Sequence, residues 1–443
     1  MSVREAFAKI PAQKRLVYLL TILAVTTTHA TPGSWNDASR IATVQSLVES
    51  HTFVIDNSAF IDTGDKVFIA GHFYSDKPPI PSVLGAAIYF PLYHAGFGLH
   101  PGPSIPYYFV TLLSVRLFWL LGTVAFFLLL KFTGLDAEMR LLASVALALG
   151  SLYFSWSTTF NNHALAAAFL SIGFFFLLKA RLEANVKLNL GVAALFLALA
   201  GTADMPTGVF YALFLLYVLR DPHLRPATSF YLLPLLVTFL PALAINYAIH
   251  GSIVPVQVVE SYFQYPGSPW IGSHALSGMR INTGGFFLSY AFLMLIGPKG
   301  FLLYNPFLWV ALWGLVRAIR QKSVFFYEAI VIAAGSGALV FYYLLFTNDF
   351  GGWSYSIRWF VPVLPLWFFF LYPFFQAFDQ TRNRQFRVFL SVAVTISFVG
   401  ALDPWSHGDL SEAPFIANIK ELQQGLHTPY SPVQRSRVPS VTR

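Results

Sequence analysis

The chain has 443 residues, of which 56% are hydrophobic and only 11% charged, with a mean hydropathy of +0.61. This composition excludes a soluble globular domain and makes the bilayer the solvent. The net charge of +8 does not point to nucleic acid, because Lys and Arg stand in short clusters between apolar runs, where they orient spans; the lack of any Cys excludes disulfides, thiol nucleophiles and thiolate metal sites.

In chain order the apolar runs predict about eleven membrane-spanning helices, each near the length that crosses a hydrocarbon core. They are 16–31, 105–131, 140–158, 162–179, 188–203, 206–220, 228–249, 301–317, 324–347, 358–378 and 386–402. The fold class is an all-α polytopic membrane protein. Arg4, Lys9, Lys14 and Arg15 place the N-terminus in the cytoplasm. The clusters Lys131/Arg140, Lys179/Arg181/Lys187, Arg220/Arg225, Arg317/Arg320/Lys322 and Arg382/Arg384/Arg387 then fall on the same side. Two further apolar stretches, 80–98 and 284–297, would invert that pattern if either crossed alone, so both are read as lateral helices on the outer face. The first span ends in Thr28-His29-Ala30-Thr31 and also resembles a cleavable signal peptide; retention as an anchor keeps the charge pattern consistent. The domain reading is one membrane domain over 1–402, with outer loops at 32–104 and 250–300. A short polar tail follows at 403–443, ending in Arg435, Arg437 and Arg443, and no sizeable C-terminal soluble domain is expected.

With this topology the acidic residues sort unevenly. Asp37, Glu49, Asp56, Asp62, Asp65 and Asp76 crowd the first outer loop, and Asp204, Glu260, Asp349, Asp403 and Asp409 fall on the same side with His72, His94, His163, His250 and His274. Asp56, Asp62 and Asp65 read as solvated loop charges. Asp37, just past the first span, stands at interfacial depth, where a carboxylate can take a proton from an acceptor as it attacks; the competing reading is a helix cap before Ala38-Ser39-Arg40. Arg116 lies inside a span, where an ionisable residue is functional or paired. The turn Gly201 to Gly208 joins two short helices and is expected to be submerged, so Asp204 either lines a cavity or caps a helix. Trp35, Tyr74, Trp156, Trp270, Trp353, Tyr355 and Trp405 suit stacking on sugar rings or an interfacial belt.

The stretch Asn36-Asp37, a surface helix from Arg40 to Ser50, a short strand-like stretch from Phe53 to Ile55, then Lys77-Pro78-Pro79 and a lateral helix, resembles the first outer loop of the GT-C membrane glycosyltransferases. Within them it is similar to the family 39 protein O-mannosyltransferases and lipid A aminoarabinose transferases. Gly351-Gly352 followed by Arg358, Pro362 and Pro365 resembles their Gly-Gly-x-x-x-x-x-Arg entry to a late span, and Lys299-Gly300-Phe301-Leu302-Leu303 resembles another span entry. Where such enzymes carry two adjacent acidic residues this chain has Asn36-Asp37. Where some place a second carboxylate it has Asn161-Asn162-His163.

The resemblance implies a GT-C-like fold and transfer of a sugar from a polyprenyl-phosphate donor to a lipid, glycan or protein acceptor on the extracytoplasmic face. It makes Asp37 the general base, with Lys77 and Arg358 as donor-phosphate ligands and Arg116 and Lys299 as helpers. Tyr74, His72, His163, Asp204, Trp353 and Tyr355 are the expected substrate contacts. Cations at interfacial depth stabilise a leaving phosphate without a metal in principle, so no cofactor is required, although a divalent ion stays compatible. The expected partners are the lipid-linked donor, its acceptor and membrane lipids of the cell membrane, with no nucleic acid. Two other readings stay open: a lipid or solute transporter, with Arg116 and the broken hairpin as a path, and a non-catalytic scaffold.

Overall fold

The structure is a computed structural model that describes residues 10–271, 283–406 and 411–423. Arg4, Lys9, His274, Asp409, Arg435, Arg437 and Arg443, and the side chain of Arg382, lie outside the described residues.

The first helices are α1 (Ala12–Thr27), α2 (Trp35–Glu49), α3 (Pro79–His94) and α4 (Ile105–Thr133). They are followed by α5 (Ala137–Leu149), α6 (Leu152–Ser157), α7 (Asn162–Leu182), α8 (Val186–Ala203), α9 (Met205–Arg220) and α10 (Arg225–His250). The last six are α11 (Gly284–Leu295), α12 (Phe307–Arg320), α13 (Phe326–Phe346), α14 (Arg358–Gln376), α15 (Gln380–Leu402) and α16 (Pro414–Gln423).

Each expected run is helical, and both expected lateral stretches are helices too. Among the described residues seven helices are long and apolar enough to cross a membrane alone: α4, α7, α8, α10, α13, α14 and most of α15. Two expected spans are interrupted, and one buried side chain explains both breaks. The Asn305 amide accepts from Leu152 N at 2.8 Å, where the run 140–158 divides into α5 and α6. It donates to the Phe301 carbonyl at 2.8 Å, where the run 301–317 divides before α12. Backbone groups freed by a broken helix at such depth need protein partners, and Asn305 supplies them.

Helices α7 and α14 form the centre, with 72% and 83% of their apolar windows buried, whereas α10 is 17% buried and turns Leu236, Val237 and Leu240 outward, as a lipid-facing helix does. The first outer loop carries a two-stranded antiparallel hairpin, β1 (Lys66–Ile69) and β2 (His72–Ser75), with Ile69 opposite His72. Its two turn residues, Ala70 and Gly71, both have positive φ, the geometry that matches strand twist. The strand-like stretch expected at 53–55 is not a strand; Ile55 N reaches the Phe73 carbonyl of β2 at 2.9 Å and stops there. Val67 and Ile69 pack with Val256 and Phe263, and Trp270 donates to the Gly64 carbonyl at 2.8 Å, so both outer loops share one small core.

The helix ends collect at two poles. At one, hydrogen bonds tie His29 to Thr158, Ser104 to Ala30, Asn162 to Ala203 and Tyr355 to Pro404. At the other, Arg15 meets Glu138, Lys131 lies 3.6 Å from Glu183, Arg181 meets Glu328, and Gln376 bonds the Thr133 carbonyl. Arg15, Lys131 and Arg181, from the basic clusters that bounded the spans in sequence, stand at this second pole, and Asp37, Lys77, Asp204 and Arg358 stand at the first.

Candidate active site

The position of Asp37 begins with its helix. Ser34 is the N-cap of α2, its hydroxyl accepting from Asn36 N and Asp37 N at 3.1 and 3.3 Å. Capping is thus performed one turn earlier than Asp37, and the Asp37 carboxylate reaches back only to Gly33 N at 3.2 Å. Its Oδ2 also accepts from Trp405 Nε1 at 2.9 Å, Tyr107 OH at 3.1 Å and the Thr159 hydroxyl. Four donors from four separate parts of the chain therefore fix one oxygen. The other, Oδ1, is buried without a hydrogen-bond partner. Burial pushes the Asp37 carboxyl above its usual range, against Thr159, Gly33 and Arg40, which favour the ionised form.

Arg40 lies one turn along α2 and does not touch Asp37. Its guanidinium bonds the Asn36 side chain and carbonyl, and it reaches Asn162 Oδ1 at 2.6 Å. Burial lowers it to about 10. Asn162 in turn donates to the Ala203 carbonyl at 3.1 Å, so the amide-rich turn before α7 links α2 to the end of α8. There His163 Nδ1 lies 2.6 Å from Asp204 Oδ2, both buried. The Asp204 side chain caps no helix. With Nδ1 committed to a carboxylate, Nε2 is the ring atom left for other work, and the charges of Arg358 and Arg40 bear on this ring.

Arg358 opens α14 after a strained approach. Phe350, Gly351 and Gly352 have φ of 54°, 81° and 66°, so a Cβ at either glycine would strain the turn. The Asp349 carboxylate accepts from Gly351 N at 3.3 Å, and burial pushes it up while Arg358 pulls it down. Lys299 Nζ donates to the Gly352 carbonyl at 2.8 Å, and Ser356 bonds the Lys299 carbonyl, so Lys299 braces this segment. The Arg358 guanidinium stacks at 4.9 Å over Trp405, the residue that donates to Asp37, and its Nε is buried without a partner. The charges of Asp65, Asp349 and Asp37 bear on it.

Lys77 does not stand alone. Its Nζ is 2.8 Å from Asp65 Oδ2 and 2.9 Å from Asp76 Oδ2. Asp76 Oδ1 accepts from the Ser39 hydroxyl of α2 at 3.4 Å, and Ser39 and Ser75 are 2.6 Å apart. Burial pushes Asp76 up, opposed by Lys77. Asp65 is therefore engaged in the site; the reading of it as a solvated loop charge is corrected here, because the hairpin folds it onto Lys77. Asp56 is likewise engaged, bonding His72 at 2.7 Å and Phe73 N at 2.7 Å, while Asp62 is exposed as expected.

Asp37, Lys77, Arg358, His163 and Asp204 thus belong to one connected set, with Lys299 bracing its rim. His72 and Tyr74 lie on β2, in or beside the outer core. Tyr355 is fully enclosed, its hydroxyl bonding the Ile396 carbonyl at 2.7 Å and its ring lying where Gly400 leaves room. Trp353 is half-buried in the approach to α14. Arg116 stands in a π-helical turn, Leu112–Arg116, and bonds Ser157, Thr27 and the Leu23 carbonyl between Trp119 and Phe154, with no carboxylate beside it among the described residues. Sequence reasoning missed Tyr107, Thr159, Asn162 and Ser39, and it placed Trp405 only in the general belt.

Among the described residues no cluster of three or more His, Cys, Asp or Glu is arranged to hold a metal ion. No protein-family profile matches the sequence, and no curated protein sequence matches it either. Solved structures do. ArnT of Cupriavidus metallidurans bound to undecaprenyl phosphate superposes with a TM-score of 0.53 at 12% identity, over 88% of this chain and 69% of that one. The same protein in the apo state gives 0.53 at 14% identity. The apo oligosaccharyltransferase of Archaeoglobus fulgidus gives 0.51 at 12% identity, over 95% of this chain and 56% of that one. At such identities the likeness is one of fold. The chain is an integral membrane protein with the GT-C fold of these transferases.

Proposed function

We propose that the protein is a membrane glycosyltransferase that moves a sugar from a polyprenyl-phosphate donor to a lipid, glycan or protein acceptor on the extracytoplasmic face. The observation that carries this reading is the Asp37 carboxylate: fully buried, anchored through Oδ2, without a partner at Oδ1 and raised by burial, beside an arginine stacked on one of its own donors. A general base needs to be held in place and basic enough to take a proton, and Asp37 combines these. Oδ1 takes the acceptor proton as the acceptor atom attacks the anomeric carbon, and the bond from that carbon to the phosphate oxygen breaks with its electrons going to phosphate. A single base on the acceptor side, with no second carboxylate beside it among the described residues, favours inversion.

Arg358 is the cation least committed to other groups and is the first ligand for the donor phosphate, with Lys77 supplying a second charge. His163, held by Asp204 and facing the charges of Arg40 and Arg358, contacts the sugar or the phosphate through Nε2. The basic residues collected at the opposite pole support a cytoplasmic N-terminus and an outer position of the site. The undecaprenyl phosphate bound by the ArnT structure is the donor headgroup chemistry that this set of cations suits.

The test is transfer of label from a panel of radiolabelled polyprenyl-phosphate sugars in membranes carrying the wild-type chain or Asp37→Asn. Transfer by the wild type that is lost in the variant supports the reading. Binding of a donor without turnover by the wild type overturns it in favour of lipid transport.

A further inference from the structure

A lysine that is to hold a phosphate is here already held by two carboxylates. Asp65, from the loop before β1, and Asp76, directly after β2, place Oδ2 atoms 2.8 and 2.9 Å from Lys77 Nζ, and all three side chains are largely enclosed. The clamp is tied to the catalytic helix, since Ser39 of α2 bonds both Asp76 and Ser75. Each charge of these carboxylates also bears on Arg40, and that of Asp65 on Arg358. A phosphate reaching Lys77 therefore exchanges with a carboxylate or shares the ammonium with two of them.

We propose that Asp65 and Asp76 are positioning residues that set the ratio of affinities between donor and product, weakening the spent lipid phosphate more than the intact donor. The inference rests on the glycosyltransferase reading above. The donor is a phosphodiester with one negative charge. When the anomeric carbon–oxygen bond breaks, the electron pair stays on the phosphate, and the leaving polyprenyl phosphate is a monoester whose second ionisation falls near pH 6, so it carries up to two negative charges. An unopposed cluster of Lys77, Arg40 and Arg358 would hold this product more tightly than the donor and stall turnover. Repulsion from the two clamp carboxylates grows in proportion to phosphate charge, so it falls more heavily on the product. The acceptor proton leaves separately, through Asp37.

The experiment measures binding of undecaprenyl phosphate, and the steady-state kinetics of a labelled polyprenyl-phosphate sugar, for the wild type, Asp65→Asn and Asp76→Asn in lipid nanodiscs. The expected result is product binding tighter by about tenfold in each variant, a smaller fall in donor KM, and a lower kcat with stronger product inhibition. A misfolded variant does not bind more tightly, so the predicted gain separates this role from a merely structural one. Product binding unchanged or weaker in both single variants, with a wild type that does bind undecaprenyl phosphate, overturns the clamp alone. A wild type that binds no polyprenyl phosphate overturns the glycosyltransferase reading and the clamp with it.

Discussion

Two carboxylates are completely buried at opposite poles of this molecule, and they are treated differently. Glu328, at the start of α13, accepts from Arg181 and from Tyr217 OH at 2.6 Å on one oxygen, while Arg181 also lies 3.6 Å from Asp221. Asp37 likewise uses one oxygen for all its bonds and leaves the other without a partner, as Glu328 does. The difference is the counter-ion. Glu328 has an arginine in contact, and Asp37 has only neutral donors, because Arg40 is turned away to Asn36 and Asn162. A buried carboxylate with its cation in place joins the ends of three helices and is electrically complete. A buried carboxylate whose cation is withheld stays basic, and that is a property worth having only where a proton is to be moved.

The largest expected effect lies at the first pole. Asp37→Asn keeps the shape, with an amide NH2 in place of one carboxylate oxygen, but cannot accept a proton, so transfer should fall by about 10² to 10⁴-fold while the folded yield stays near wild type, read by label transfer and by size-exclusion profiles. Glu328→Gln should do the reverse. It removes the negative charge that Arg181 contacts and should cost about 3 kcal/mol of stability, measured as a lower midpoint of thermal unfolding in detergent, while turnover per folded molecule is retained. Replacing both members, Arg181→Met with Glu328→Leu, should recover most of that loss, which a functional role for the pair would not allow. If Glu328→Gln instead abolished turnover in folded protein, the contrast between the poles would be wrong. A smaller effect is expected from Arg358→Lys. A lysine keeps the charge but loses the planar stack on Trp405 and the fork to phosphate, so donor KM should rise about tenfold with kcat changed less.

The fold was legible because the bilayer imposes one strong rule, that backbone groups be satisfied within helices, and each long apolar run obeyed it. The interruptions were not legible, since both depend on Asn305, whose two partners lie in separate parts of the chain. Asp37 could be singled out from its place after the first span and from the pattern around it. Its donors could not: Tyr107, Thr159 and Trp405 are ordinary residues in sequence, and only the meeting of helix ends makes them partners. Lys77 was legible as a cation near a Pro-Pro pair, yet its pairing with Asp65 depends on a hairpin whose Ala70-Gly71 turn was not recognised as such. The charge sorting by side grouped acidic residues that the structure brings to one pole and gave no information on contacts.

The finest distinction concerns what the neutral donors around Asp37 do. Tyr107 OH and Trp405 Nε1 both donate to Oδ2, and a donor to a carboxylate favours its ionised form. Burial already holds Asp37 above the usual carboxylate range, so the base works only above that raised value, and activity falls as pH drops through it. Removing one donor raises the value further. Tyr107→Phe should therefore move the acid limb of the kcat/KM profile to higher pH, with donor KM at high pH unchanged. Trp405→Phe should shift the same limb and also raise donor KM, because the indole is both a donor to Asp37 and the platform under Arg358. The pair of variants separates the two functions of one wall. An acid limb that stays in place in Tyr107→Phe would mean that the titrating base is another group, and the dyad of His163 with Asp204 would then be the one to change next.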